Sequence, residues 1–406
     1  MAMKTELAQS SSLQKGLPFI ILLGSLTAFD PLSIDMYLPA FPDIGKEFAV
    51  SASAVELSLT TFFVGLALGQ LIYGPLSDRY GRRIPLLIGM SFYCISSIGC
   101  ALSSGIHMLI VFRVLQALGG CSGMVITRAI VRDLYDNQKS AHIYSVLMLV
   151  MGVAPVLAPL VGGYVAKYFG WRMIFGVLGT FSLICVACTF FFLPETHRPS
   201  PHEHPAGSTW KTHMELFQDK GFLGYTLMGA AIQSGMFAYI AASPFVFIVL
   251  FGVAPVHYGW IFGMNAAGIV AGSQINRGLL KNYGFESILR VVVCISGLSA
   301  IGLFAASLLS RSLFLFLFPL FLYIATLGFV FPDSSAGALA HQGKRAGTAS
   351  SLFGAVQWSC ACLSTLLVSI LHNGTALPMT GIILVCGILG FLVLQMNLFS
   401  GVIVYW

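Results

Sequence analysis

Twelve apolar stretches follow one another along this chain, near residues 17–40, 53–76, 84–104, 107–128, 141–165, 171–193, 222–250, 256–278, 286–308, 311–332, 346–371 and 377–398. At about 1.5 Å per residue, each is long enough to cross the roughly 30 Å hydrocarbon core of a bilayer as a helix. Lipid offers no partner for backbone N–H and C=O groups, so a spanning segment must satisfy them internally. Only 9% of residues are charged and 57% are hydrophobic, against about 25% charged in soluble domains. A soluble fold is excluded. The apolar run after the first 16 residues exceeds the roughly 7–15 residues of a signal-peptide core, so it is expected to persist as span one. The expectation is an all-α polytopic membrane protein with twelve transmembrane helices.

The longest polar gap, residues 194–220, is rich in Pro, His and charge (PETHRPSPHEHP). It reads as a cytoplasmic linker between an N-terminal six-helix half, 1–193, and a C-terminal six-helix half, 221–406. A shift of 203 residues aligns Gly65, Gly69, Tyr80 and Gly81 with Gly268, Gly272, Tyr283 and Gly284, at equivalent places in the two halves. Parallel six-span halves are a known transporter plan. With a cytoplasmic N-terminus, sixteen lysines and arginines fall on the cytoplasmic side and four (Lys46, Lys167, Arg172, Arg311) on the other. The positive-inside rule then places both termini in the cytoplasm. The net charge of +6 follows from this bias and gives no reason to propose nucleic acid as a partner. All nine cysteines lie in apolar stretches, without His or carboxylate neighbours, and read as small apolar fillers rather than metal ligands.

Span one carries Asp30 and Asp35 inside its apolar run, with Pro31 and Pro39 beside them. Carboxylates at bilayer depth are tolerated mainly where they face a cavity or a partner. Their spacing separates them by about 140° on a regular helix at 100° per residue, unless Pro31 breaks the helix between them. Span four carries Arg113, about 9 Å from its start at 1.5 Å per residue. Asp35 lies at a similar depth from the end of span one. Arg113 either meets such a partner or snorkels to the interface. Glu56, at the start of span two, is expected to be solvated. Asp333, after Pro332 at the end of span ten, reads as a solvated cap or an inner-gate acid.

The loop after span two reads Gly74-Pro75-Leu76-Ser77-Asp78-Arg79-Tyr80-Gly81-Arg82-Arg83. It resembles the loop signature of the major facilitator superfamily, G-x-L-[SA]-D-R-x-G-R-[RK], completely. Arg113-x-x-Gln116-x-x-Gly119 resembles that superfamily's span-four motif, which implies proton coupling. The span-five run from Gly152 through Pro155 and Pro159 to Gly162 and Gly163 resembles its antiporter motif, which implies export. Ile34-Asp35-Met36-Tyr37-Leu38-Pro39-Ala40 is similar to the start of the bicyclomycin and chloramphenicol resistance branch of drug:proton antiporters. Gly170-Trp171-Arg172, Leu193-Pro194-Glu195-Thr196 and Gly347-Thr348-Ala349-Ser350 fit that branch as well. Asp30 and Asp333 depart from it, standing where neutral polar residues are expected.

The resemblance implies the major facilitator fold and an inner-membrane antiporter exchanging protons for an amphiphilic, drug-like molecule. Asp35, Asp30 and Arg113 are the proton-coupling candidates. Asp78, Arg79, Arg82 and Arg83 would form a cytoplasmic gate with Asp133 and Asp136, and Asp78 would also meet the start of span eleven. Tyr37, Phe63, Gln116, Gln233, Phe237, Tyr239 and Gln357 are candidates for the substrate cavity. For the polar ones, helix–helix bonding is an equal alternative. No cofactor is expected, and without a G-x-x-x-x-G-K-[ST] loop the energy must come from a gradient. The expected partners are a small molecule, protons and lipid, for a chain acting as a monomer and not as an enzyme. A dedicated exporter of one metabolite or siderophore shares every motif above. A proton-coupled importer conflicts with the span-five motif, and a channel or embedded enzyme lacks any matching constellation.

Overall fold

The computed structural model describes residues 17–135, 137–196, 214–309, 312–340, 342 and 346–399. Asp136 and the histidine-rich stretch 197–213 therefore lie outside the described residues, as do the side chains of 346 and 347. The described chain is helical throughout, with no strand among the described residues. Span two is Ala52–Tyr80, span three Arg83–Ala101, span four Ile106–Leu134, span five Asn137–Phe169 and span six Arg172–Phe192. Span seven is Lys220–Ser243, continued by a π-wound segment Pro244–Leu250. Spans eight to twelve are Pro255–Leu279, Phe285–Leu309, Leu313–Leu339, Ala346–Ile370 and Leu377–Phe399.

Among the described residues, ten helices are long and apolar enough to cross a membrane, and the bent pair of span one makes eleven. Span eight, at 25 residues, is a helix of the same length. It is less apolar because His257, Asn265, Gln274, Asn276 and Arg277 lie along it. Ile88 at 60% exposure, Ile95 at 63%, Leu298 at 69% and Phe314 at 76% show the outward apolar faces that lipid requires. Several helices outrun the apolar stretches. Span four continues to Leu134 and span ten to Leu339, because water can solvate a helix beyond the hydrocarbon as well as a loop.

Span one is two helices, Leu17–Thr27 and Phe29–Asp35, followed by a 3-10 turn Leu38–Ala40 and a helix Phe41–Glu47. The chain bends by 45° at Ala28. The Thr27 hydroxyl donates to the Gly24 carbonyl at 2.8 Å, the local side-chain bonding that loosens helices. Pro31 then falls in the first turn of the second piece, where a missing N–H costs nothing. The break therefore precedes both acids instead of separating them. Asp30 and Asp35 share one seven-residue helix.

Contacts divide the chain into two compact units. One contains residues 1–37 and 64–203, the other 38–63 and 204–406. In the first, span three packs against spans four and six, and both pieces of span one lie on spans four and five. In the second, span seven is the hub, packed by spans ten, eleven and twelve, while span ten also meets spans eight and nine. Asp219 caps span seven by accepting from the Phe222 N–H at 3.0 Å, and Gln342 donates to its other oxygen at 2.9 Å.

The glycines aligned by the 203-residue shift make comparable helix contacts. In the first unit, Gly65 and Gly69 of span two lie against Ala117 and Cys121 of span four. In the second, Gly268 and Gly272 of span eight lie against Phe321 and Ala325 of span ten. A small residue lets two helix backbones approach without a side chain between them.

Candidate functional site

The second piece of span one buries both its carboxylates, Asp30 at 4% exposure and Asp35 at 3%. Neither oxygen of Asp30 has a hydrogen-bond partner among the described residues. Its Oδ1 lies toward Gly120 of span four, and Arg128 of the same span is within Coulombic reach. One turn on, the Ser33 hydroxyl meets the Tyr93 hydroxyl at 2.5 Å, and Phe29 stands edge-on to the Tyr93 ring at 4.8 Å. The floor beneath Asp30 is thus built by spans three and four.

Arg113 is fully buried, which removes the snorkelling alternative. Its guanidinium lies 4.6 Å over the Tyr37 ring and 5.9 Å from that of Phe175, and donates to Gln116 Oε1 at 2.7 Å. Gln116 in turn donates to Ser97 Oγ at 2.8 Å. An arginine stacked on aromatic faces is partly compensated without a carboxylate. Asp35 forms no ion pair among the described residues. Tyr37 and Gln116, proposed from sequence as cavity groups, are here the seat of Arg113.

The loop signature forms a compact knot in the same unit. Arg82, 1% exposed, donates from Nη1 to Asp78 Oδ1 at 2.5 Å and to Ser77 Oγ at 2.9 Å. Its Nε donates to Asp133 Oδ2 at 2.8 Å. Glu195 closes the other side, accepting from the backbone N–H of Arg82 at 2.7 Å and of Arg83 at 3.1 Å. Gly81 allows this with φ +83°, and a Cβ there would strike the Glu195 carboxylate at 2.5 Å. The Arg83 guanidinium donates to the Phe190 carbonyl, and Arg79 lies 5.3 Å over Tyr80. The sequence marked Glu195 only as part of the Leu-Pro-Glu-Thr run, with no role. The signal was its place at the end of span six, the same membrane face as the loop.

Span five carries Pro155 and Pro159 inside one continuous helix. Gly152 is part-buried, and Gly162 and Gly163 are buried. A Cβ on Gly162 would lie 2.1 Å from the Met36 carbonyl oxygen. The backbone of span five therefore touches span one directly after Asp35.

The remaining cavity candidates lie in the second unit. Phe63, Phe237 and Trp358 form an aromatic trio, with ring centroids 4.9, 5.7 and 5.4 Å apart. Gln233 Oε1 and Gln357 Nε2 are buried without hydrogen-bond partners among the described residues. Tyr239 instead accepts from Asn265 Nδ2 at 3.1 Å and stacks on Phe262 at 5.7 Å, a helix–helix contact. Two expectations are corrected. Asp333 is 2% exposed and accepts from Asn276 Nδ2 at 2.8 Å, so it is no solvated cap; span ten simply extends past it. Glu56 is 1% exposed, because neighbours distant in sequence cover the start of span two. A cavity of about 310 Å³ is lined by Ser273, Asn276, Arg277, Leu280, Lys281 and Pro332, none of them a coupling candidate.

The sequence profile of the Major Facilitator Superfamily matches residues 23–369. The chain belongs to the major facilitator superfamily. It is 37% identical to an uncharacterized MFS-type transporter, YdgK, of Bacillus subtilis (strain 168), over 93% of this chain and 94% of that one. It is 31% identical to the bicyclomycin resistance protein homolog of Haemophilus influenzae, over 89% and 91% of the two chains. The chloramphenicol resistance protein of Pseudomonas aeruginosa is also 31% identical, over 94% and 90%. Among solved structures, a bacterial homolog to the human lysosomal transporter Spinster, inward-facing and unoccupied, superposes with a TM-score of 0.73 at 17% identity, over 94% of this chain and 96% of that one. At that identity the likeness speaks for the fold alone. The superfamily consists of transporters rather than enzymes, and this member is a multi-pass membrane protein.

Proposed function

We propose that this protein is a proton-coupled antiporter that exports amphiphilic, drug-like molecules across the bacterial inner membrane by alternating access, as a monomer with both termini in the cytoplasm. The observation that carries the proposal is the pair of buried carboxylates on the short second piece of span one. A buried anion without a partner costs several kcal/mol, and taking up a proton removes that cost. Substrate and proton can then compete for the same carboxylate, which is the linkage an exchanger needs. The names of the bicyclomycin and chloramphenicol resistance relatives and the Gly162 contact beside Asp35 support export of drug-like cargo. The Phe63, Phe237 and Trp358 rings offer apolar area for diverse molecules.

Asp35 is the residue proposed to release its proton on substrate binding, and Asp30 a second proton site or a selector for cationic cargo. Purified protein in weak buffer should release protons when substrate is added. Asp35→Asn should abolish the release, while Asp30→Asn should keep it with a changed pH dependence or substrate range. Release unchanged in both variants would move the coupling site out of span one. The substrate comes from a drug-susceptibility panel in a pump-deleted host. The unpartnered Gln233 Oε1 and Gln357 Nε2 among the described residues favour a second reading, a dedicated exporter of one hydrogen-bonding metabolite. Protection against several unrelated drugs would count against that reading.

A further inference from the structure

Glu56 enters the structure as an anomaly. It sits in the first turns of span two, 1% exposed, and neither carboxylate oxygen has a hydrogen-bond partner among the described residues. The charged group that faces it is His372, in the turn between span eleven and span twelve, with Nδ1 3.6 Å from Glu56 Oε1. The histidine side chain is 16% exposed. Its ring stands edge-on to Phe245 of the π-wound end of span seven, centroids 4.5 Å apart. Phe245 brings no charge, and on its own helix the Glu56 carbonyl accepts from the Thr60 hydroxyl at 3.4 Å. All these residues belong to the second compact unit, although Glu56 comes from the first half of the sequence.

A carboxylate this deep needs either a proton of its own or a cation beside it. Imidazole supplies the cation only while protonated. The pair is therefore comfortable with one shared proton and strained without it. We propose that Glu56 and His372 are a proton-holding pair that ties the start of span two to the turn before span twelve and lets go when the shared proton leaves. The geometry alone gives this reading. The titration of His372 agrees in direction, since the Glu56 carboxylate raises its proton affinity above the ordinary value, against burial, which lowers it. For a histidine raised in this way, the contribution to stability is fully present below the ordinary imidazole value of about 6.5. It is lost as the pH rises through the raised value. The proton passes between His372 and water, and no other bond forms or breaks. The pair lies at the end of span two remote from Arg79, which is the periplasmic end in the orientation proposed above. The inference holds whether or not protons drive transport.

Two measurements decide it. In protein reconstituted in nanodiscs with labelled imidazole carbons, the resonance missing from His372→Gln identifies His372 among the nine histidines. It should titrate above about 6.5 in the native chain, and its proton affinity should fall at least about tenfold, one pKa unit, in Glu56→Gln. Equal titration in both proteins would overturn the proposal. Separately, His372→Gln strands the Glu56 carboxylate and should lower thermal stability at neutral pH. The double variant Glu56→Gln/His372→Gln should recover most of that loss and lose the decline above neutral pH. A double variant no more stable than His372→Gln alone would overturn it too, including the case in which neither folds.

Discussion

Arg82 carries two carboxylates from two helices, and the exposure of each sets what it contributes. Asp78 is 57% exposed, so its pair with Arg82 counts for about 0–1 kcal/mol. Asp133 is 13% exposed, and removing its cation leaves a largely buried anion. Arg82→Ala should therefore cost about 3 kcal/mol, the lower end for breaking a buried pair, and Asp78→Asn much less. Arg82→Lys should fall near Arg82→Ala, because one ammonium cannot replace a fork whose Nε and Nη1 reach different acids. Thermal unfolding of the three variants in detergent checks the order. If Asp78→Asn proves as damaging as Arg82→Ala, the Asp133 bond is not what fixes the loop. The arginine-rich loop and its aspartate were legible in the sequence as a motif. Asp133 was named there as an acid for these arginines, but the part taken by Glu195 was not legible, since it comes from 113 residues away along the chain.

Span one and span five show what element-level reading captures and misses. The Gly/Pro run of span five announced an unusual helix, yet Pro155 and Pro159 lie inside one continuous helix. The contact that matters is set by Gly162, whose missing side chain admits the Met36 carbonyl. A backbone atom is the neighbour, so no rotamer change relieves a clash. Gly162→Ala should destabilise by about 1–3 kcal/mol, and Gly162→Val by more. Transport should fall further than stability, because Met36 follows Asp35 directly and its displacement moves the carboxylate. The check is thermal stability beside proton release for the two variants. Full release by Gly162→Val would reduce the contact to packing. A break at Pro31 was one alternative the sequence left open for span one; the break occurs at Ala28 instead. Proline is costly in the interior of a helix, and here the chain has already ended the first helix before reaching it.

At the scale of the whole molecule, the proposed function makes a kinetic demand. A carrier that alternates between two access states returns faster when its site is filled, so unlabelled substrate on one side of a proteoliposome should accelerate efflux of labelled substrate from the other. Exchange several-fold faster than net efflux is the expected result; equal rates at all concentrations would fit a channel instead. The sequence by itself determined that the chain crosses a membrane many times and which family it joins. Those properties reside in apolar length, charge bias and local motifs, each readable within one segment. Only the tertiary structure decided that Arg113 rests on Tyr37, that Asp35 and Asp30 are both buried on one short helix, and that Glu56 is buried beside His372. Residues 38–63 likewise join the compact unit of the second half. These depend on which segments meet, and a single helix carries no record of the neighbours that will cover its faces.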